Sequence, residues 1–310
     1  MISRNKKLNI IGIILMLLTT IVWGSAFLVL KNAMNSNPKT FIIGIRFFGA
    51  GLIMCLIYIK PLLKADKKSL LCGFLLGAIC AGGYYFQTLG LEHTTPARNA
   101  FITATYCVVT PFMLWAIKKI RPKSYSLISA IICIIGIGLI SFSGQSDETG
   151  SNLILGDGLT LFSTIFFALQ IIFIDSFSQS ANGKVVLPVQ VVSAGIILFI
   201  VSAITELPFH DIEDFIIKGD NIFNVCYLML ACTLFCQFGQ FYGQVLSSSP
   251  NQSALILSLE SVFGAIFSII FGSEKVTLLL VIGFVVVFLA TIIAVMRIDV
   301  LSLFKKKKKD

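Results

Sequence analysis

Charge is scarce in this chain. Asp, Glu, Lys and Arg make up 13% of its 310 residues, about half the share usual in soluble domains. Histidine occurs only twice, as His93 and His210 near loops, so little is available to complete a metal site, and neither a metal nor any other cofactor is expected. No His-Glu-x-x-His helix, nucleophile elbow, phosphate loop or paired-aspartate motif occurs, which argues against an enzyme. Asp211, Glu213 and Asp214 cluster, but a solvated loop is the ordinary reading of such a group. Long polar segments are also missing. A sensor or assembly scaffold would normally append a sizeable soluble domain; it stays as the alternative reading.

Apolar residues dominate instead, at 56% with a mean hydropathy of +0.93. A soluble globule of this length cannot hide so much apolar surface, and disorder has the opposite composition. Eight cysteines, Cys55, Cys72, Cys80, Cys107, Cys133, Cys226, Cys232 and Cys236, all fall in or beside apolar runs. There they act as small hydrophobes rather than as a disulfide framework. The net charge is +9, and five of the lysines form the tail Lys305 to Lys309. A basic tail of this kind reports membrane orientation rather than a nucleic-acid partner. The chain reads as an integral membrane protein with lipid as its solvent.

A spanning helix needs about 20 mostly apolar residues. Such stretches are Asn9–Leu30, Thr40–Ile59, Ser69–Leu89, Ala97–Ile117 and Ser124–Phe142, then Gly156–Ile174, Val185–Ile204, Phe223–Leu246, Gln252–Phe271 and Leu278–Met296. The first has the length of a full crossing and no convincing cleavage site follows it, so it is not read as a removable signal. These stretches divide the chain into a first unit at 1–142, a linker at 143–155, a second unit at 156–296 and a basic tail at 297–310. With the N-terminus inside, cytoplasmic segments carry 18 Lys and Arg residues and outer segments five. That bias places both termini in the cytoplasm of a multi-pass plasma-membrane protein.

The two halves resemble each other. Shifted by 154 residues, Thr94-Thr95-Pro96-Ala97-Arg98-Asn99-Ala100 lies over Ser248-Ser249-Pro250-Asn251-Gln252-Ser253-Ala254. Shifted by 144, Thr19-Thr20-Ile21-Val22-Trp23-Gly24 lies over Ser163-Thr164-Ile165-Phe166-Phe167-Ala168. Five crossings per copy force opposite orientations, so the expected fold is all-α, with ten transmembrane helices as two inverted five-helix repeats around a central cavity.

Trp23-Gly24-Ser25, the passage from Gly90 through Arg98-Asn99 and Tyr106 to Pro111, Leu259-Glu260-Ser261-Val262-Phe263 and Gly272-Ser273-Glu274 occur in this order along the chain. Together they resemble the EamA family of the drug/metabolite transporter superfamily. The resemblance implies two such repeats around a cavity and carrier-type movement of small molecules, without fixing the substrate. Ser261 stands where the family usually has proline, so a weaker kink is expected in the ninth helix. Lys118-Lys119 replaces the acidic residue many members carry after the fourth.

Polar residues in lipid need a reason to be there, because a charge at a helix centre costs about 2.5–3.5 kcal/mol on insertion scales. Glu260 lies about 13 Å into its helix at 1.5 Å per residue. It reads as a protonation site, as the partner of a substrate amine, or as a structural carboxyl. Arg46, about 9 Å in, can snorkel, pair with Glu260 or bind a substrate carboxylate. Gln237, Gln240 and Gln244 share one helical face, with Tyr242 nearby, and Gln87 and Gln170 add amides elsewhere. Such groups join helices or line a hydrated cavity. Trp23, Tyr84 and Tyr106 can stack on a flat substrate, while Trp115 suits an interfacial anchor. Gly73, Gly77, Ala81 and Gly82 permit close helix approach. The composite reading is a transporter of amino acids, related organic solutes or drugs by alternating access. Protonation of Glu260 from one side would couple it to protons. Oligomeric state is left open.

Overall fold

The computed structural model describes residues 6–143, 153–247, 249–271 and 276–295. The tail at 297–310, most of the 143–155 linker and the Gly272-Ser273-Glu274 motif lie outside these residues. The described chain is helical throughout: α1 Lys6–Ala33, α2 Lys39–Ile57, the short α3 Ile59–Leu63, α4 Lys67–Glu92, α5 Pro96–Thr103, α6 Tyr106–Lys118, α7 Ser124–Ser143, α8 Leu153–Ser178, α9 Gly183–Thr205, α10 Gly219–Met229, α11 Cys236–Leu246, α12 Pro250–Leu257, α13 Glu260–Phe271 and α14 Leu278–Val295. Among the described residues, eight helical stretches are long and apolar enough to cross a membrane, and Ser124–Gly136 and Leu278–Ala290 are shorter apolar helices. Helix α8 begins three residues before the expected Gly156.

Two of the expected single helices are broken in the middle, and they break alike. Thr95 and Ser249 each accept a hydrogen bond from a backbone N–H three residues on, with Pro96 and Pro250 in the first turn, the position where a missing N–H costs nothing. Each helix runs eight residues and stops. At the first break Cys107 N donates to Ala104 O at 3.1 Å and Val108 N to Thr105 O at 2.8 Å. At the second, Ser261 N donates to Ser258 O at 3.2 Å and Val262 N to Leu259 O at 3.0 Å. These are the same tightened bonds at positions 154 residues apart. Proline is therefore not needed to interrupt the ninth span: the Ser261 hydroxyl donates to Ser258 O at 2.8 Å and supports the tight turn. The breaks leave Tyr106 and Glu260 as counterparts, each the first residue of the continuing helix.

The expected helix Phe223–Leu246 is also interrupted. Between α10 and α11, residues Leu230–Phe235 form a π-helical segment, a local widening common at functional sites. Thr233 Oγ1 donates back five residues to Leu228 O at 2.8 Å.

Packing follows the sequence repeat. Helix α1 lies on α11 and α13, and its counterpart α8 lies on α4 and α6; α2 pairs with α9 and α7 with α14. The termini of α1, α4, α9 and α13 and the starts of α2, α5 and α8 gather at one face of the bundle, called here the vestibule face. The other is the far face.

Helix α2 begins after Pro38, and its free N–H groups are capped from another helix. The buried Glu206 carboxylate at the end of α9 accepts from Thr40 N at 2.7 Å and Phe41 N at 3.0 Å, and from the Ser202 hydroxyl at 2.7 Å. A carboxylate at a helix N-terminus also opposes the helix dipole favourably. Glu206→Ala leaves three donors unpaired, so it should cost about 1–3 kcal/mol, read as a lower Tm of the purified protein. Glu206→Gln should retain part of that stability; wild-type Tm in the alanine variant would refute the capping role.

Candidate functional site

A cavity of about 530 Å³ lies between the two halves, lined by side chains of α1, α2, α4, α5, α6, α8, α11, α12 and α13. Eight of the ten side chains singled out from the sequence reach it: Trp23, Arg46, Tyr84, Gln87, Tyr106, Gln170, Gln240 and Glu260. Gln237 and Gln244 do not line it. Above it, the vestibule face opens as a hollow of about 1200 Å³ bordered by Lys31, Lys39, Glu92 and Glu206. Helix α1 runs along both, with Leu30 on the cavity and Lys31 on the vestibule.

Arg46 does not snorkel. Its residue is 1% exposed, and the guanidinium turns into the bundle, where Nε donates to Thr233 Oγ1 at 2.9 Å. The π-helical segment makes this possible, because it holds the Thr233 hydroxyl with its proton committed to Leu228 O and a lone pair free. The same segment leaves Cys232 O to accept from Trp23 Nε1 at 2.9 Å. Aromatic rings flank the guanidinium: its carbon lies 5.2 Å from the Phe47 ring centre and 5.1 Å from that of Tyr84, within cation–π range. Phe167, the repeat counterpart of Trp23, meets Tyr84 edge-on at 5.3 Å and Tyr106 at 6.2 Å.

The guanidinium and the carboxyl of the cavity are not paired with each other. Among the described residues no hydrogen bond or ion pair joins Arg46 to Glu260, and Arg46 Nη2 has no hydrogen-bond partner, while the Tyr106 hydroxyl faces the Glu260 carboxyl. The ion pairs present lie toward the helix ends, as Lys39 with Glu92, Arg98 with Asp157 at 2.6 Å and Lys118 with Asp175 at 3.3 Å. Lys118 thus takes an acidic partner from α8.

The amides form a chain at the cavity floor. Gln170 Nε2 donates to Gln240 Oε1 at 3.3 Å and Gln237 Oε1 at 3.5 Å, and Gln190 Nε2 donates to Gln237 Oε1 at 3.1 Å. Gln237 sits behind the wall, its own amide directed at Cys80 Sγ, 3.9 Å away. Sequence reasoning overlooked Gln190, Thr103 and Thr233. Gln190 was findable, because it stands 144 residues after Arg46 and so holds the same place in the second half. Thr103, on the cavity wall, accepts from Gln87 Nε2 at 3.1 Å.

The pattern of the EamA-like transporter family fits residues 10–142 and again residues 154–296. The chain belongs to that family. An uncharacterized transporter of Archaeoglobus fulgidus is 31% identical to this EamA protein over 288 residues, 91% of this chain and 84% of that one. The uncharacterized transporter YrdR of Bacillus subtilis is 25% identical over 172 residues, about half of each chain (52% and 51%). A solved crystal structure shares the EamA protein's fold at a TM-score of 0.70 and 11% identity, over 94% of this chain and 97% of that chain. The EamA protein is accordingly a multi-pass membrane transporter built of two repeats, with a small-molecule substrate.

Proposed function

We propose that this transporter carries a small zwitterionic organic solute, of amino-acid type, through the central cavity by alternating access. The observation that carries the reading is one apolar, aromatic-walled cavity holding a guanidinium and a carboxyl that are not paired with each other. Arg46 takes the solute carboxylate, Glu260 its ammonium group or a proton, and Trp23, Tyr84 and Tyr106 enclose its apolar part. Gln87, Gln170 and Gln240 supply the few placed polar contacts typical of ligand pockets, while Gln237 orients Gln170 from behind. Neutral drug-like solutes would find the aromatic walls but leave the buried guanidinium without a counter-ion.

The two repeats, taken as 1–142 and 156–296 with the linker at 143–155, each hold five crossings, and an odd number requires opposite insertion. The exchange of α1 with α8 in their packing supports this arrangement, which supplies two related conformations around one site. The basic clusters Lys60 to Lys68 and Lys118 to Lys123 border the far face. By the positive-inside rule that face and both termini, including the tail 297–310, are cytoplasmic in the plasma membrane.

The test uses purified protein and a panel of metabolites. Free zwitterions should raise Tm, by about 2.7 kcal/mol of stabilisation at 100-fold over Kd, and the best of them should show flux in vesicles. Their N-acetylated and C-amidated forms should do neither. Equal stabilisation by the blocked forms would remove the zwitterion assignment, and absence of flux for every stabilising solute would favour the scaffold alternative.

A further inference from the structure

The far half of the bundle is shut, and its interior is unexpectedly polar. Helix α1 meets α11 so closely there that a Cβ on Gly12 would stand 2.7 Å from Gly243 O. Helix α4 meets α9 in the same way, with a Cβ on Gly73 falling 2.7 Å from Val189 Cβ. Between the two pairs, a Cβ on Gly183 of α9 would stand 2.9 Å from the Phe241 ring of α11, and Tyr242 donates to Tyr58 at 3.3 Å. The small-residue contacts hold each pair together, and the aromatic contacts between the pairs close the far side.

Within this closed half lie amide atoms with no hydrogen-bond partner among the described residues. Gln244 is 3% exposed, and neither its Nε2 nor its Oε1 has a partner. Gln190 is fully buried, and its Oε1 is likewise unpartnered. A buried polar group left unpaired costs far more than a made bond gains, so these atoms penalise the closed arrangement. Gln244 lies one helical turn beyond Gln240, on the same face of α11, between the cavity floor and the far end of the helix at Leu246. Gln190 stands about seven residues into α9 from that face, roughly 10 Å at 1.5 Å per residue.

We propose that Gln244 and Gln190 belong to the solute's exit path, sealed in this conformation, and become hydrated when α1 and α11 part from α4 and α9 on the far side. The unpartnered amides then have two consequences. They keep the closed state from being too stable to open, and they offer hydrogen bonds to a polar solute leaving the cavity. The inference rests on the transport reading, but its test needs no solute.

Single cysteines are introduced as Gln244→Cys and Gln190→Cys, with Leu198→Cys as a reference. Leu198 is fully buried on α9, toward the vestibule end and away from the far-side seam. Native membranes are treated with a water-soluble maleimide from each side, and peptide mass spectrometry reads the label at each position apart from the eight native cysteines. Positions 244 and 190 should react at least about tenfold faster than 198, from the side that holds the far face. Equal unreactivity of all three, or equal reactivity, overturns the path. Gln244→Met in the otherwise native chain supplies a second reading. It should raise Tm while lowering flux of any solute identified by the binding screen, whereas an amide that merely glues helices together would lower Tm when removed. A zwitterion that binds and is transported with all three cysteines inert would sink the path and leave the transport reading standing.

Discussion

Neither Gly51→Leu nor Gly195→Leu should give a folded, extractable protein. These glycines occupy the same place in the two repeats, 144 residues apart, on the paired helices α2 and α9. Their contacts are reciprocal. A Cβ on Gly51 would lie 2.5 Å from both Val192 Cα and Val192 N, and one on Gly195 would lie 2.3 Å from Phe48 N and 2.5 Å from Phe48 Cα. The obstructing atoms are backbone, so no rotamer change can relieve the clash, and the helices must separate. A few extra methylenes in a packed core cost about 1–3 kcal/mol when side chains can adjust; here they cannot, and the cost should exceed that range. Separation would also pull Arg46 from Thr233 and Gln190 from Gln237. The measurement is the yield and Tm of monodisperse protein in detergent. Gly158→Leu, on α8 where a Cβ meets nothing within 4 Å, should match the wild type. Gly51→Ala should fall between. Wild-type yield and Tm from Gly51→Leu would mean that α2 and α9 are not packed this closely.

The helical spans were legible because lipid permits few alternatives. A backbone in hydrocarbon must satisfy its own hydrogen bonds, so apolar runs of sufficient length announce helices directly. The breaks at Ala104-Thr105 and Ser258-Leu259 were not legible, since those residues are compatible with an uninterrupted helix. What ends each half is the tight i to i+3 bonding that follows, and its recurrence 154 residues later became visible only with coordinates. The π-helical segment was equally hidden: Leu230–Phe235 carries no breaker, and its widening is tied to tertiary partners, Trp23 and Arg46.

The candidate site was legible in outline for the same reason that its details were not. Amides and charges inside apolar runs must face protein or water, which singled out Gln87, Gln170, Gln240, Arg46 and Glu260 without any geometry. Helical spacing, however, gives a face and not a depth. Gln237, Gln240 and Gln244 share a face, yet Gln240 lines the cavity, Gln237 stands behind its wall and Gln244 lies toward the far end. Arg46 looked able to snorkel when only distance along its helix was counted. A hydroxyl on another span, 187 residues away in sequence, draws it inward instead.

Glu260→Gln should abolish uphill accumulation of the solute while sparing exchange down a gradient. The glutamine keeps the shape of the carboxyl and its place at the start of α13, so the cavity and its aromatic walls survive. It cannot take up or release a proton at neutral pH. With no cation paired to it in the described structure, the Glu260 carboxyl is free to take up a proton on one side of the membrane and release it on the other as the solute moves, and that cycle is the physical basis of coupling. Removing it leaves a site that binds and moves solute with no link to the proton gradient. Accumulation against a gradient should therefore fall by an order of magnitude or more, with counterflow reduced far less. Arg46→Met should behave differently. It removes the carboxylate partner and should weaken solute binding in both assays, since truncating one side of a buried charge pair costs about 2–5 kcal/mol. Paired flux assays on vesicles of each variant separate the two roles. If Glu260→Gln loses fold, exchange and accumulation together, the carboxyl is structural; if it keeps accumulation, the energy that drives transport enters elsewhere.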